Sequence, residues 1–189
     1  MGINLVNMKR CKWVNENNHL YVEYHDSEWG IPSYDDKYLF EMLILEGFQA
    51  GLSWECILNK REAFGKAFND FDYELIANYD SKKVSELINN PDIVRNKLKI
   101  NAAINNAKVF IKIREEYGSF SEYIWGFTKG KTIVNKDDNF KTTSSLSDDI
   151  SNDLKRRGMK FVGSTIIYSY LQAIGIINDH ELSCSFYTK

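Results

Sequence analysis

Prolines, cysteines and long hydrophobic runs are all scarce in this sequence of 189 residues. No stretch approaches the roughly 18 consecutive apolar residues of a transmembrane helix, so we expect no contact with a membrane. The three cysteines are an odd number, which argues against a disulfide framework. No secretory signal is visible in Met1–Arg10, and we therefore expect a cytoplasmic protein.

The sequence also lacks an excess of basic residues. The formal net charge is −2 and the pI is near 6.0. A protein that coats nucleic acid along its whole surface would be basic. Any binding of DNA by this chain must therefore come from a local basic patch.

Apolar and aromatic residues are plentiful, at 43% and 14% of the chain. They recur at helical spacing, as in Leu39, Phe40, Leu43 and Ile44, and strand signals are few. No stretch rich in Gly, Pro or Ser divides the sequence. We predict an all-α protein in which residues 1–189 form one domain with two helical lobes.

Capping and breaking residues predict where several helices begin and end. Ser53 is a plausible N-cap for a helix that runs through Phe64, and Gly47 and Gly51 should interrupt the helix before it. Pro91 should open the longest helix, which Gly118 should stop. The polar segment 128–147 has no period and is predicted to be a long loop.

Two cysteines and two histidines lie close to the two ends of the chain: Cys11, His25, His180 and Cys184. The second pair has i, i+4 spacing, so on a helical turn both side chains share a face. Thiolate and neutral imidazole suit Zn²⁺, and four such ligands close a tetrahedral structural site. Spacing alone leaves open that these are ordinary thiols and surface histidines, and that His19 replaces His25. Cys56 is predicted to be a small core residue.

Aromatic residues and one carboxylate form a second candidate site. Tyr21, Tyr24 and Trp29 lie close together in sequence, and Trp54 follows Glu46 closely. Such residues could form a cage for a flat cation, because ring faces attract positive charge and a carboxylate balances it. The alternative is that the rings belong to the core and that Glu46 is a solvated helix end.

Five separated motifs carry a resemblance to a known family. They are CKWV, YHDSEWGIP, LFEMLILEGFQAGLSW, RRGMKFVGSTIIYS and NDHELSC. In this order they resemble DNA-3-methyladenine glycosylase I, and the likeness runs from about Lys9 to Cys184. The resemblance implies an all-α helix-hairpin-helix DNA glycosylase fold with a structural zinc that clips the N-terminal segment to the C-terminal one.

The resemblance also implies an activity and a partner. The enzyme would flip 3-methyladenine out of alkylated double-stranded DNA and remove it by hydrolysis, as a monomer without strand-cleaving lyase activity. The cationic base already has a weakened bond to the sugar, so tight binding of the base would supply most of the catalysis.

Roles carry over residue by residue. The zinc ligands would be Cys11, His25, His180 and Cys184. Glu46 would be the catalytic residue that contacts the flipped base, in a binding pocket formed by Tyr21, Tyr24, Trp29, Glu46 and Trp54. The family is associated with a polar residue at the position of Phe48, so this chain differs there. Asp179 is expected to orient the zinc ligand His180 without binding the metal itself.

The segment from Arg157 to Gly163 resembles the hairpin of a helix-hairpin-helix element. Its glycines allow the backbone to approach a phosphate, and the helix that follows presents free N–H groups. Basic side chains nearby supply positive charge: Lys155, Arg156, Arg157 and Lys160. The predicted DNA-binding residues are Lys160, Phe161, Val162, Gly163 and Ser164. A plain turn between two packed helices is the alternative.

Two other functions compete. The His25-Asp26 pair could belong to an all-helical metal-dependent phosphohydrolase, although Cys184 suits a structural zinc better. The chain could also be a non-enzymatic, zinc-stabilised DNA-binding module. Such a module would need neither Glu46 nor the aromatic cage.

Overall fold

The computed structural model describes residues 8–137 and 139–187, and within these ranges the chain is mostly helical. The helices are α1 (His19–Ser27), α2 (Asp36–Gln49), α3 (Trp54–Leu58), α4 (Arg61–Ala67), α5 (Tyr73–Ala77), α6 (Ser81–Asn89), α7 (Lys97–Tyr117), α8 (Phe120–Gly126), α9 (Ser145–Arg156) and α10 (Ser164–Ala173). A 3₁₀ turn, Asn69–Phe71, joins α4 to α5. The prediction of an all-α fold is confirmed. Among the described residues, no helix combines the length and the apolar composition that crossing a membrane requires.

Helix α2 lies at the centre of the protein. Asp35 caps its first turn, and every residue from Leu39 to Phe48 except Glu41 is buried. It packs against α3, α7, α8 and α10. A helix that is apolar all round is stable only inside a core. Of the two glycines predicted to interrupt this helix, Gly51 does follow its end, with a φ of +80°. The prediction for Gly47 is wrong, because α2 continues to Gln49 and so carries Glu46 within its buried length.

The helix boundaries follow local capping more closely than proline positions. Ser53 caps α3 as predicted, and Gly118 ends α7 with a φ of +90°. The single helix predicted after Ser53 is divided into α3 and α4. The prediction that Pro91 opens α7 is wrong, because Asn96 provides the cap by accepting hydrogen bonds from two backbone N–H groups of the first turn.

Helices α9 and α10 pack against each other and are joined by a short turn. A reciprocal capping box between Ser144 and Ser147 begins α9. Gly158 leaves the helix with a φ of +99°, which a residue with a side chain adopts at a cost. The predicted hairpin is therefore present as a helix-turn-helix packed on the core.

The prediction of a long loop over residues 128–147 is wrong in part, because the described residues of this segment include a short strand and the start of α9 at Ser145. The strand β1 (Ile133–Val134) pairs in parallel with β2 (Ile177–Asn178), in the register Ile133 to Ile177. Close by, the two ends of the described chain meet. Lys9 and Ser185 exchange hydrogen bonds of 2.9 and 2.7 Å, so the N-terminal arm lies beside the C-terminal segment.

Candidate active site and metal site

A cavity of about 380 Å³ opens where the N-terminal arm, α1, the end of α2, the start of α3 and α10 converge. The structure brings all five of the predicted pocket residues to its wall: Tyr21, Tyr24, Trp29, Glu46 and Trp54. Loop residues after β1 complete the rim, among them Asn135, Asp137 and Phe140. Residues far apart in sequence therefore form one concave site.

Aromatic rings form the walls. The rings of Tyr24 and Trp54 lie 5.1 Å apart, centre to centre, and Trp13 lies 4.8 Å from Trp29 and 5.3 Å from Tyr21. Sequence reasoning missed Trp13. Its position two residues after Cys11 was the available signal, because a metal site that holds Cys11 against the C-terminal segment would also hold Trp13 in place.

Glu46 is the buried carboxylate of this cavity, with only 3% of its surface exposed. Burial raises the pKa of Glu46 to about 8, because an apolar environment disfavours the charged form. Its Oε2 atom and the Nε1 atom of Trp54 are buried without a hydrogen-bond partner among the described residues. A flat, polar ligand in the cavity could form hydrogen bonds with both of these atoms.

Asp179 and Gln172 also line the cavity. The Asp179 carboxylate accepts hydrogen bonds of 2.6 Å from the Tyr168 hydroxyl and from Gln172 Nε2, and a further one from Asn135. The expectation that Asp179 orients His180 is wrong, because its oxygens are engaged by these donors. Asp179 instead joins α10 to the loop that follows β1.

Three of the predicted metal ligands meet behind the aromatic wall. The ligand atoms of Cys11, His25 and Cys184 all lie within 4.8 Å of one another, and all three residues are buried. Both cysteines are free thiols. Asp26 contacts His25 Nδ1 at 2.7 Å, so the other ring nitrogen faces Cys184 Sγ at 3.6 Å. Such a carboxylate–histidine pair fixes an imidazole for metal binding.

His180 stands next to this group. Its ring centre is 5.1 Å from that of His25, and its Nδ1 contacts Asn178 Oδ1 at 2.9 Å. Its Nε2 is buried and has no hydrogen-bond partner among the described residues. Burial lowers the pKa of His180 to about 4, so the ring is neutral at pH 7. His19, the rival ligand, is exposed on α1.

The donor set fits a soft or borderline metal ion. Two thiols and two neutral imidazoles match the ligands that Zn²⁺ prefers. Burial raises the pKa of the Cys11 thiol to about 12, so a bound cation would have to displace its proton. The His25-Asp26 pair does not form an open metal site, because Asp26 also accepts hydrogen bonds of 2.6 to 3.0 Å from Arg10. Cys56, predicted to be a core residue, is only half-buried and stands apart.

The turn between α9 and α10 holds the five predicted DNA-binding residues. The Lys160 side chain is exposed, and Phe161 has a φ of +54°. Val162 is buried, and its carbonyl accepts a 2.6 Å hydrogen bond from Ser151. Gly163 begins α10 without a side-chain cap, which leaves N–H groups of the first turn available. Ser164 Oγ lies 2.9 Å from Ser147 Oγ.

The basic residues in and before the turn differ in their exposure and in their ion pairs. Arg157 is bonded to Glu116 and to Asp153, in both cases at 2.6 Å, and Arg156 also contacts Asp153. Lys155 and Lys160 remain exposed. Phe48, the residue that departs from the family, is buried with its ring 4.8 Å from that of Phe64. It therefore belongs to the core.

The raised pKa of Glu46 predicts how stability depends on pH. Below pH 4.5 both the folded and unfolded states hold the proton. Between pH 4.5 and about 8 only the folded state holds it, so the free energy of unfolding falls by up to ~1.4 kcal/mol per pH unit. Glu46→Gln removes this dependence and should become progressively more stable than the wild type up to pH 8.

Denaturant unfolding of both proteins from pH 5 to pH 9 measures this difference. The exposed Glu115→Gln variant is the matched control for the loss of one carboxylate. A constant difference for Glu46→Gln would mean that Glu46 is ionised in the folded protein.

Comparisons with known proteins agree with this geometry. The family model for methyladenine glycosylase matches residues 13–188. The DNA-3-methyladenine glycosylase 1 of Escherichia coli (strain K12) is 42% identical over 183 residues, which are 95% of this chain and 97% of that protein.

Solved structures are also similar. A crystal structure of 3-methyladenine DNA glycosylase I superposes with a TM-score of 0.92 at 40% identity, covering 95% of this chain and all of that one. A variant of 3-methyladenine DNA glycosylase I, solved in complex with 3-methyladenine, has a TM-score of 0.88 at 36% identity over 91% of this chain and 94% of its own. The fold, the buried carboxylate among aromatic rings and the family match lead to one conclusion: this chain belongs to the methyladenine glycosylase family.

Proposed function

We propose that this protein is a base-excision repair enzyme that removes 3-methyladenine from alkylated double-stranded DNA. The observation that carries the proposal is the buried Glu46, whose Oε2 atom has no hydrogen-bond partner among the described residues, in a cavity walled by aromatic rings. A flipped purine fits such a site, and relatives described as 3-methyladenine glycosylases support the choice of base.

Charge explains the selection of the damaged base. Methylation at N3 makes the base in DNA cationic, and the faces of Trp and Tyr rings attract a cation more strongly than a neutral adenine. When the cation enters, its charge favours the ionised form of Glu46 and offsets the burial that raises the pKa of the empty site. Undamaged adenine offers no such compensation.

The same charge makes the base a good leaving group. The bond to the sugar therefore breaks with little protonation, water completes the hydrolysis, and the protein contributes mainly by binding and orienting the base. Lys12 and Lys141 lie at the cavity rim, where both are exposed and near acidic partners, Glu181 and Asp137. The proposal therefore includes no lysine-dependent strand cleavage.

The four residues Cys11, His25, His180 and Cys184 are the ligands proposed for one structural Zn²⁺. The metal would replace the missing hydrogen bond of His180 Nε2 and neutralise both thiolates. His180 lies 4.7 Å from the ring of Trp29, and His25 lies 5.3 Å from that of Trp13. The metal site would therefore fix the aromatic wall of the pocket.

The turn at residues 160–164 is the proposed contact with the DNA backbone. Free N–H groups at the start of α10 and the exposed Lys160 suit phosphate oxygens. One chain contains the whole site, so the proposed enzyme acts as a monomer, in the cytoplasm where its DNA substrate would be.

Base release from methylated DNA tests the function. Chromatography of the released bases should show 3-methyladenine and almost no 7-methylguanine. Glu46→Gln keeps the shape of the side chain but not the charge, and should slow single-turnover excision by about tenfold without abolishing it. Glu115→Gln should behave as the wild type. Abolished excision with normal affinity for lesion-bearing DNA would make Glu46 a chemical group and contradict catalysis by binding.

The metal content of the purified protein tests the proposed zinc site. Elemental analysis of the purified protein should find about one Zn²⁺ per chain. Cys184→Ala should lose the metal and melt at a lower temperature, whereas Cys56→Ala, outside the ligand group, should keep it. Folded and active protein without metal would exclude the proposed role.

Salt-dependent binding tests the hairpin. Lys160→Glu should weaken binding to undamaged and lesion-bearing duplexes by similar factors. It should also reduce the slope of log affinity against log salt by about 1, the amount expected for one phosphate contact. Lys37→Glu is the matched control, because Lys37 is exposed at the opposite end of α2 from Glu46. A loss confined to lesion-bearing DNA would move Lys160 to the base-recognition site.

A further inference from the structure

Helix α7 carries two buried polar side chains that take no part in the cavity or the metal site. Lys99 is 7% exposed and Asn106 is 4% exposed. They are seven residues apart, which is two helical turns, so both project from the same face of one rigid element. Burial of an ammonium group and an amide is costly unless both are fully bonded, so each should have a specific partner.

Lys99 holds the end of α2. Its Nζ donates to the carbonyl oxygens of Phe48 at 2.8 Å and Ala50 at 2.6 Å. The last carbonyls of a helix lack partners within the helix, and a cation there also interacts favourably with the helix dipole. Lys99 therefore holds the segment that directly follows Glu46.

Asn106 holds the hairpin. Its Oδ1 accepts from the Lys160 N–H at 2.8 Å, and its Nδ2 donates to the Lys160 carbonyl at 2.8 Å. One amide thus satisfies both polar groups of one residue in the turn. The next residue, Phe161, has a φ of +54°, a conformation that persists only where the surroundings enforce it.

The two held segments also touch each other. A Cβ built on Gly47 would lie 3.6 Å from the Cβ of Phe161, so α2 and the hairpin are in direct contact. The space between Gly47, Phe161, Lys99 and Asn106 is almost filled, with a residual cavity of about 10 Å³. Helix α7 therefore sets the position of the hairpin relative to the end of α2.

We propose that Lys99 and Asn106 are positioning residues that hold the hairpin and Glu46 at the separation required by one extruded nucleotide. The inference rests on the proposed function, in which the hairpin binds the DNA backbone and Glu46 contacts the flipped base. If the hairpin shifts relative to Glu46, the hairpin still binds the DNA backbone and the cavity still binds a free base. An extruded base that remains attached to that backbone would then no longer reach Glu46 in the correct position. A displacement of about 1 Å can reduce a reaction rate by ~10²-fold.

The experiment separates positioning from binding. Asn106→Ala and Lys99→Met are compared with Asn101→Ala, an exposed asparagine of α7 whose amide bonds only within its own helix. Single-turnover excision of 3-methyladenine is measured at saturating lesion-bearing duplex, and affinity for free 3-methyladenine is measured by calorimetry. Both test variants should excise at least about tenfold more slowly, with free-base affinity within about threefold of the wild type. Asn101→Ala should match the wild type in both assays.

Free-base binding also reports that the pocket is folded, so a variant that merely unfolds is recognised. Excision that falls only in proportion to free-base affinity would make these residues structural and overturn the inference. Variants that excise at the wild-type rate would also overturn it, and would leave the proposed function intact. A wild-type protein that released no 3-methyladenine would instead contradict the proposed function, and this inference with it.

Discussion

The burial of one carboxylate inside an apolar helix is the constraint around which the site is organised. Glu46 lies in α2, which is surrounded by other helices and could not be stable on the surface. An ionised carboxylate there would lose its hydration, which is why the pKa of Glu46 rises to about 8. The packing of the surrounding helices keeps this carboxylate buried, and in the proposed function a cationic base would compensate for the loss of hydration.

The aromatic wall and the candidate metal site are in contact and are formed by the same segments of the chain. The arm from Lys9 to Trp13 lies against the C-terminal segment, and Cys11, His25 and Cys184 meet where the two segments cross. Rings of the histidines pack on Trp13 and Trp29, which face the cavity. Stability at the chain ends is therefore linked to the shape of the pocket, although the cavity and the metal ligands are separate sets of residues.

Helix α7 connects the pocket to the hairpin. The bonds from Lys99 and Asn106 end on main-chain atoms, so they constrain the backbone at the end of α2 and in the turn at Lys160 and do not depend on the side chains that these segments carry. The turn at Phe161 and the end of α2 could therefore change their surface residues and keep their relative position. In the proposed function, this arrangement gives a positioning role to a long helix whose described residues do not line the cavity.

Local signals were enough to predict much of this protein. Periodicity indicated the helical class, and caps such as Ser53 and Gly118 were placed correctly because the chemistry of a helix end involves only neighbouring residues. Family motifs led to Glu46, the aromatic residues and the metal ligands. Local reasoning was wrong where packing decided the outcome. Gly47 does not break α2, since the surrounding core stabilises the helix, and the helix expected at Pro91 begins only where Asn96 can cap it.

The sequence by itself determined the helical class, several of the caps and the candidate residues of the cavity wall and the metal site. Only the tertiary structure decided that Trp13 joins the cavity wall, that Asn178 rather than Asp179 contacts His180, and that Asn106 holds the turn at Lys160. The reason is physical. A cap or a period depends on residues within one or two turns, whereas these contacts join segments far apart in the chain, and their geometry exists only after the helices have packed.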